Sequence, residues 1–533
     1  MCLLPQNPYN DRISLPIRFL QPVSMVFIND NTPREPTDTH TAQIIILSNT
    51  IRTKQLSIYK DIAIAFLAAW LLMGITIHLR PPVPVPSKDA ADYARLALGL
   101  SEFNVLGYFR TSTTSPRPDP EVMPLYPAFL SALIHLDQNL HNSLVCNFDK
   151  HSDSQAACPD QFSTVTMAQG LLMAIFLLTV WCTGWQLSRR RSLAWIAMIA
   201  AWSSGLPVQY ATQFLTETLV LPLFGALLLL LAMHYLNPTR SRWALYAGLT
   251  LGLLVLTRPS FAYLFWLMLI TGALSLVYVP HLRQYIRRAL IVFCLGYIVV
   301  TAPWLARNYI QFDQIMFSGG KYGGKTLAQR VSYNDMSTAE LAVSFIYWFP
   351  DIGDTHGLAK SLFPAHLYAR LGWDKNSYYR AGDEILRETI KATKGTHQSP
   401  VTYLVKQRVL NQPLKHTMVS VALTWRGIFI KKYWGIMGWV CSIWLLGRLL
   451  LQRRFAFIYL WSPALFLVVF HAAVSVSIPR YNTILLPLLS IGLAYVAMDI
   501  LSRRFSTIRV VKTLCDGQAS EFYPNKNQVT NGS

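Results

Sequence analysis

Charged residues are scarce in this sequence. Asp, Glu, Lys and Arg make up only 14% of the 533 residues, and 52% of the residues are hydrophobic. A soluble globular chain carries about 25% charged residues, so this chain has too few of them to cover a water-facing surface. The composition therefore excludes an ordinary soluble domain and indicates a membrane protein.

Acidic residues are scarcer than basic ones, with 27 Asp and Glu against 47 Lys and Arg. On a soluble chain a net charge of +20 would indicate a nucleic-acid partner. Here the basic residues gather in short links between apolar runs, where they report topology. We therefore expect a lipid bilayer as partner, and no nucleic acid.

Cysteines number only seven. Cys146 and Cys158 are the two that we place outside the membrane, and on an oxidising face they are candidates for a disulfide. The alternative is two free surface thiols. His151 between them is one possible metal ligand and not a set, so we expect no metal site and no cofactor.

About ten apolar runs approach the roughly 20 residues that cross a bilayer as a helix. The shortest, 243–256, is the weakest candidate, and a further span or a membrane-lying helix is possible in 416–430, which sets an upper limit of about twelve. The sequence thus predicts an all-α polytopic membrane protein. The runs are 62–79, 165–187, 193–211, 216–236, 243–256, 261–279, 289–306, 434–451, 455–476 and 483–501.

Arginine-rich links set the orientation, because cytoplasmic loops carry the excess of basic residues. Every short link that we place inside carries two or three arginines and no acid. We expect a multi-pass protein of the inner or plasma membrane with both termini cytoplasmic. The predicted regions are a cytoplasmic N-terminal extension (1–60), a transmembrane region (61–306) that contains a first outer loop (80–164), a second outer loop or lid (307–431), C-terminal transmembrane helices (432–502) and a cytoplasmic tail (503–533).

Two carboxylates stand where the chain leaves the first span. Ser87 as a helix N-cap predicts a helix with Asp89 and Asp92 one turn apart on one face. This pattern fits a pair of catalytic acids. It also fits a helix start stabilised by its dipole, with no chemistry.

Four more ionisable residues are predicted at the outer ends of spans. They are Glu217, Arg258, Arg307 and Arg480. Charge at membrane depth is costly and marks functional candidates, although a single arginine is readily explained by snorkelling into the headgroup layer. Together with the two aspartates they suit an anionic, phosphate-bearing substrate.

Short motifs along residues 60–500 resemble GT-C glycosyltransferases, in particular bacterial relatives of the dolichyl-phosphate-mannose protein mannosyltransferases. Asp89, Tyr93 and Ala97 at four-residue spacing, followed by Pro124-Leu125-Tyr126-Pro127, are similar to the first outer loop of that family. Later landmarks are Thr216-Glu217, Thr257-Arg258-Pro259, Pro303-Trp304 with Arg307-Asn308, and Arg480-Tyr481. The family commonly has adjacent Asp and Glu where this chain has Asp89-Ala90-Ala91-Asp92. The position relative to Tyr93 favours Asp89 as the counterpart, and Asp92 is its rival.

The resemblance implies a GT-C-like fold with two large outer loops. It further implies an inverting transferase that moves a sugar from a polyprenyl-phosphate carrier to a hydroxyl of a glycolipid, polysaccharide or protein on the outer face. An aspartate would act as the base, and arginines would bind the lipid phosphate without a metal. Residues expected to bind substrate are Glu217, Arg258, Arg307, Arg480, Tyr481, Lys321 and Lys325.

Gly319 to Thr326 match the P-loop pattern, yet no alternation of strands and helices surrounds them. We read this segment as a glycine-rich outer loop whose Lys321 and Lys325 can contact phosphate, and we expect no nucleotide. Two other functions remain open. One is a lipid-linked-sugar flippase or transporter, which would place polar residues across the bilayer midplane. The other is a non-catalytic membrane subunit of an envelope-glycan pathway.

Overall fold

The structure is a computed structural model that describes residues 38–80, 86, 88–110, 115–148, 158–351, 356–396, 398–452 and 456–504. Most of the predicted N-terminal extension and nearly all of the predicted C-terminal tail lie outside these residues, as does His151. For 38–56, 321–322 and 456–457 the structure describes the backbone alone.

All regular structure among the described residues is helical. The helices are α1 (Asp38–His78), α2 (Asp89–Phe103), α3 (Leu125–Leu136), α4 (Gln138–Phe148), α5 (Ser163–Ser188), α6 (Arg191–Ser203), α7 (Leu206–Ala211), α8 (Glu217–Leu236), α9 (Arg242–Val255), α10 (Ala262–Tyr278), α11 (Arg283–Phe312), α12 (Lys321–Val331), α13 (Thr338–Tyr347), α14 (Gly357–Leu362), α15 (Tyr378–Thr393), α16 (Pro400–Leu404), α17 (Pro413–Ile428), α18 (Tyr433–Leu451), α19 (Ala456–Val474) and α20 (Leu486–Arg504).

Seven helical segments of the described chain are long and apolar enough to cross a membrane, and they match seven of the ten predicted runs. The other three runs are shorter or interrupted. Run 193–211 divides into α6 and α7 at Gly205, whose φ of +70° suits glycine. Run 243–256 is the 14-residue α9, and 455–476 contains α19. The candidate 416–430 lies in the 16-residue α17. The prediction of an all-α polytopic membrane protein is confirmed.

The outward faces of several spans are apolar. Trp70 on α1 is 53% exposed and Trp266 on α10 is 61% exposed. Large apolar side chains in such numbers on the surface of a protein indicate a surface that lies in lipid rather than water.

Small residues bring the central helices into close contact. A Cβ atom at Gly248 of α9 would lie 2.1 Å from the carbonyl oxygen of Phe293 on α11. One at Gly296 of α11 would lie 2.5 Å from the carbonyl oxygen of Leu245. Glycine is thus required at both positions, as is common where membrane helices pack without a hydrophobic driving force.

The two predicted outer loops form compact helical units. In the first, α2 packs on α3 and α4, and Cys146 at the end of α4 forms a disulfide with Cys158 before α5. In the second, α12 packs against α15 and α16, and α13 packs against α17. The prediction of a glycine-rich loop at 319–326 is largely wrong, because only Gly319 and Gly320 precede α12 and Lys321 to Thr326 form its first turns.

Candidate active site

Glu217 is the centre of the candidate site. It is the first residue of α8, and its side chain is completely buried. Its Oε1 accepts hydrogen bonds from Arg258 Nη2 at 2.6 Å and from Arg480 Nε at 2.5 Å. Arg258 follows the C-terminus of α9 and also donates to Thr216 Oγ1 at 2.9 Å. Because an isolated buried charge is very costly, this carboxylate and these two guanidiniums stabilise one another.

Arg480 joins this buried pair to the exposed Asp89. Its Nη1 donates to Asp89 Oδ2 at 3.0 Å, while Asp89, the first residue of α2, keeps a 64% exposed side chain. Lys88, directly before it, has φ 53° and ψ −128°, a strained backbone conformation for a residue other than glycine. Two carboxylates and two guanidiniums therefore balance in charge, with one carboxylate open to the surface.

Asp92 lies one turn after Asp89 in a different environment. Burial raises the pKa of Asp92, the nearby Asp89 carboxylate raises it further, and Arg95 opposes both. Among the described residues no Lys, Arg or His nitrogen lies within 4.0 Å of its carboxylate. The two predicted acids are thus not equivalent, since only Asp89 has an arginine partner.

Two tyrosines lie near the ion pairs, the partly buried Tyr93 and the fully buried Tyr126, and the sequence interpretation gave neither a chemical role. Burial raises the pKa of Tyr93 on α2 to about 12, with the Arg258 guanidinium opposing the shift. The Tyr93 ring meets the edge of Tyr126 at 5.3 Å between centroids, and the Tyr126 hydroxyl donates to Gln169 Oε1 at 2.9 Å. Gln169 Nε2 in turn donates to the backbone carbonyl of Ala211. These contacts attach α2 and α3 to α5 and the end of α7.

Tyr481 follows Arg480 in a 3-10 turn before α20. Its ring centroid lies 6.0 Å from that of His471 on α19. His471 Nδ1 is 3.1 Å from Oδ1 of the buried Asn482, whose Nδ2 donates to the carbonyl of Gly427. The sequence interpretation missed His471 and Asn482, which fix the turn that carries Arg480.

Arg307 lies in a second cluster. Its Nη1 donates to the carbonyl oxygen of Asp119 at 3.1 Å and to Asn308 Oδ1 at 2.7 Å, and its guanidinium stacks on Trp304. The Asp119 carboxylate accepts the backbone N–H groups of Glu121 and Val122. The structure therefore links Arg307 to the first outer loop and shows no direct contact between it and Glu217.

The two predicted lysines lie on α12. Lys325 is exposed, and only the backbone of Lys321 is described. The described residues include no group of three or more His, Cys, Asp or Glu placed to hold a metal ion. The polar groups assembled around Glu217 are thus guanidiniums, carboxylates, phenols and amides, a set that suits anion binding and proton transfer.

No protein-family model matches the sequence, and no curated protein sequence is significantly similar to it. Among solved structures the chain is similar to a crystal structure of the Archaeoglobus fulgidus oligosaccharyltransferase in complex with Zn and sulfate. The TM-score is 0.45 and the identity 14%, over 87% of this chain and 54% of that one. It is also similar to the oligosaccharyltransferase AglB of the same organism in complex with an inhibitory peptide and a dolichol-phosphate, with TM-score 0.47, 13% identity and coverage of 85% and 51%. The chain thus spans about half the length of these proteins.

Proposed function

We propose that this protein is an inverting GT-C-type glycosyltransferase that uses a polyprenyl-phosphate-linked sugar on the outer face of a plasma or inner membrane. The observation that carries the proposal is the set of contacts around Arg480. One guanidinium joins a buried carboxylate to an exposed aspartate at the end of a membrane-spanning helix. A transfer from a lipid phosphate needs an exposed base and adjacent cations, and this set supplies both.

Asp89 is the base in this proposal. The acceptor hydroxyl oxygen forms a bond to the anomeric carbon while the bond from that carbon to the phosphate oxygen breaks. The hydroxyl proton passes to Asp89, and the bonding electron pair leaves with the lipid phosphate. Attack from the face opposite the leaving group inverts the anomeric centre. The exposed side chain of Asp89 leaves room for an acceptor within hydrogen-bond reach.

Arg258 and Arg480 bind the phosphate in this proposal, and Glu217 holds both in place. Arg480 contacts Asp89 through Nη1 and Glu217 through Nε. A donor phosphate competes with Asp89 for Nη1, whereas the buried Nε contact stays. Donor binding then releases Asp89 from its ion pair, and its Oδ2 becomes free to accept the hydrogen bond from the acceptor hydroxyl. Donor therefore binds before the acceptor is activated.

The remaining predicted residues act around this centre. Tyr481 lies next to Arg480 in the same 3-10 turn. Arg307 holds the Asp119 segment of the first outer loop beside the site. Lys321 and Lys325 on α12 contact the donor phosphate only if the second outer loop moves over the site, and that loop selects the acceptor.

Separate Asp89→Asn and Asp92→Asn variants test the proposal by sugar transfer from polyprenyl-phosphate donors in reconstituted vesicles. We expect Asp89→Asn to lower kcat by about 10²- to 10⁴-fold, the usual contribution of a general base, and Asp92→Asn to retain most activity. Glu102→Gln, an acid at the other end of α2, is the matched control. Full transfer by both aspartate variants would contradict the assignment of an aspartate as the base. No transfer by the wild type with any donor would favour a transporter or a non-catalytic subunit.

A further inference from the structure

Three arginines line one open cavity far from Glu217. Arg240 and Arg242 come from the link between α8 and α9, and Arg288 comes from the first turns of α11. With Thr239 and Ser241 they line a cavity of about 420 Å³. Five polar residues from two parts of the chain thus meet in one concave surface.

Close packing of α9 on α11 brings these charges together. Gly248 and Gly296 let the two backbones approach so closely that a Cβ at either position would overlap a carbonyl oxygen. Arg242 begins α9, and Arg288 lies one turn before the contact region on α11. The helix contact therefore places three exposed guanidiniums of like charge around one cavity, at an electrostatic cost that solvent reduces.

No acid of the described chain offsets that cost. No Asp or Glu carboxylate among the described residues lies within 4.0 Å of the three guanidiniums. Arginines at the ends of other spans have such partners, namely Asp61 for Arg191 and Asp499 for Arg448. An anion from outside the chain would relieve the repulsion.

The cavity lies at a membrane surface, on the face opposite the candidate active site. Helix α8 begins at Glu217 and ends at Leu236, and its 20 residues extend about 30 Å, the thickness of the hydrocarbon layer. Trp243 and Tyr246 on α9 stand next to the cavity, and Arg242 stacks on Trp243. Aromatic residues of this kind mark the headgroup level.

We propose that Arg240, Arg242 and Arg288 bind the phosphate of an anionic phospholipid headgroup at the membrane face opposite Asp89. Guanidiniums match the oxygens of a phosphodiester in pairs, and the hydroxyls of Thr239 and Ser241 supply further donors. A lipid at this position would stabilise the contact between α9 and α11, the helices that carry Arg258 and Arg307 at their opposite ends.

Lipid retention by the purified full chain tests the site. The triple variant Arg240→Gln, Arg242→Gln, Arg288→Gln is compared with the wild type after exchange into phosphatidylcholine nanodiscs with and without phosphatidylglycerol. Native mass spectrometry counts bound phosphatidylglycerol. Because a charge-assisted hydrogen bond to a phosphate oxygen contributes about tenfold or more in affinity, we expect at least a hundredfold weaker retention of bound lipid by the triple variant.

A charge-matched control carries Arg190→Gln, Arg283→Gln and Arg287→Gln, which remove the same charge at exposed arginines outside the cavity. It should retain the lipid like the wild type. Equal retention by all three proteins, or equal loss in both variants, would overturn the proposal.

A thermal shift with inorganic phosphate in phosphatidylcholine nanodiscs distinguishes a lipid headgroup from soluble phosphate as the bound anion. Phosphate that stabilises the wild type and not the triple variant, with no effect of phosphatidylglycerol, would assign the cavity to soluble phosphate instead of a lipid.

Discussion

Glu217 holds two arginines on one carboxylate oxygen, and this makes its charge a structural requirement as well as a functional one. We expect Glu217→Gln, which keeps the side-chain shape, to lower the free energy of unfolding by about 3 to 5 kcal/mol, because it leaves two guanidiniums without their carboxylate. Chemical unfolding in detergent measures the change. Glu102→Gln should leave stability nearly unchanged, and an equal loss in both variants would contradict this role for Glu217.

The contribution of Asp92 to folding stability should change with pH in the opposite sense from that of an acid in a salt bridge. Burial and Asp89 raise the pKa of Asp92 above its ordinary value of 3.8, so the folded chain binds this proton more tightly than the unfolded chain does. The stabilisation is therefore present below pH 3.8 and is lost as the pH rises through the raised pKa. We expect Asp92→Asn to increase the thermal midpoint at neutral pH and to leave it unchanged below pH 3.8.

Asp89→Asn is the matched comparison for that measurement. It removes an exposed ion pair with Arg480, so we expect a loss of at most about 1 kcal/mol at neutral pH. A gain in stability from Asp89→Asn, or a loss from Asp92→Asn, would mean that the two environments are interchanged.

Sequence reasoning named four of the residues that meet around Glu217, because charge at the end of an apolar run is conspicuous. They are Asp89, Glu217, Arg258 and Arg480. The same reasoning grouped Arg307 with them by membrane depth alone, and depth does not define which neighbours a side chain has. Tyr93 entered that reasoning only as a landmark of the family resemblance, and His471 gave no signal, since a buried histidine is common in any core. The catalytic and binding roles of Asp89, Glu217, Arg258 and Arg480 stay predictions.

Among the elements, α12 is held against α17 and α19 by hydrogen bonds from one buried arginine. Arg330 is fully buried and donates to the carbonyl oxygens of Ala472 and His416, to Ser420 Oγ and to Asn334 Oδ1. Burial lowers the pKa of this guanidinium, because all four acceptors are neutral. Arg330 thus holds α12 against α17 and α19 through hydrogen bonds rather than an ion pair.

We expect Arg330→Met to loosen the second outer loop and leave the transmembrane helices folded. Each lost hydrogen bond to a charged donor contributes about 1.5 to 3 kcal/mol. Limited proteolysis should cut the variant within 307–431 at protease concentrations that leave the wild type intact. Arg387→Met, at an exposed arginine of α15, is the control, and equal resistance of all three proteins would contradict the fastening role.

Hydrophobic runs predicted most helices, and the failures have a local cause. The run 193–211 is apolar on average, yet Ser203-Ser204-Gly205 and Pro207 interrupt it where α6 ends and α7 begins. The Ser-Gly pair and the proline are turn signals, and an average of hydropathy over the run hides them. The division matters because the end of α7 accepts the hydrogen bond from Gln169.

At the scale of the whole molecule, we predict from the alternation of spans that Asp89 and Arg240 lie on opposite membrane faces. Labelling of single introduced cysteines with a membrane-impermeant maleimide tests this in sealed vesicles. The labelled protein carries serine in place of Cys2, Cys182, Cys294, Cys441 and Cys515 and keeps the disulfide. We expect Lys375→Cys, in the second outer loop, and Thr239→Cys, in the link after α8, to react from opposite sides. Both positions are exposed. Reaction of both from one side would contradict the arrangement.

Hydropathy is sufficient to predict an all-helical membrane protein, because apolar runs of about 20 residues have the length that a spanning helix needs. It does not predict how the runs are arranged. The close contact between α9 and α11 depends on Gly248, Gly252 and Gly296. Gly248 and Gly252 form a GxxxG pattern, which indicates close helix packing but does not identify the partner helix. The helical packing of the two outer loops is likewise set by tertiary contacts.

Arg480 also has a consequence for biosynthesis. Glu217 and Arg258 leave the ribosome early and can pair while the chain is still being inserted, whereas Arg480 is made 391 residues after Asp89. Until Arg480 is synthesised, the buried Glu217 has only Arg258 as a partner and Asp89 has no arginine partner. The segment between the last two helices therefore completes the charge balance. We expect a chain that ends before Arg480 to leave the excess negative charge of Glu217 and Asp89 uncompensated, and to be degraded more readily than the full chain.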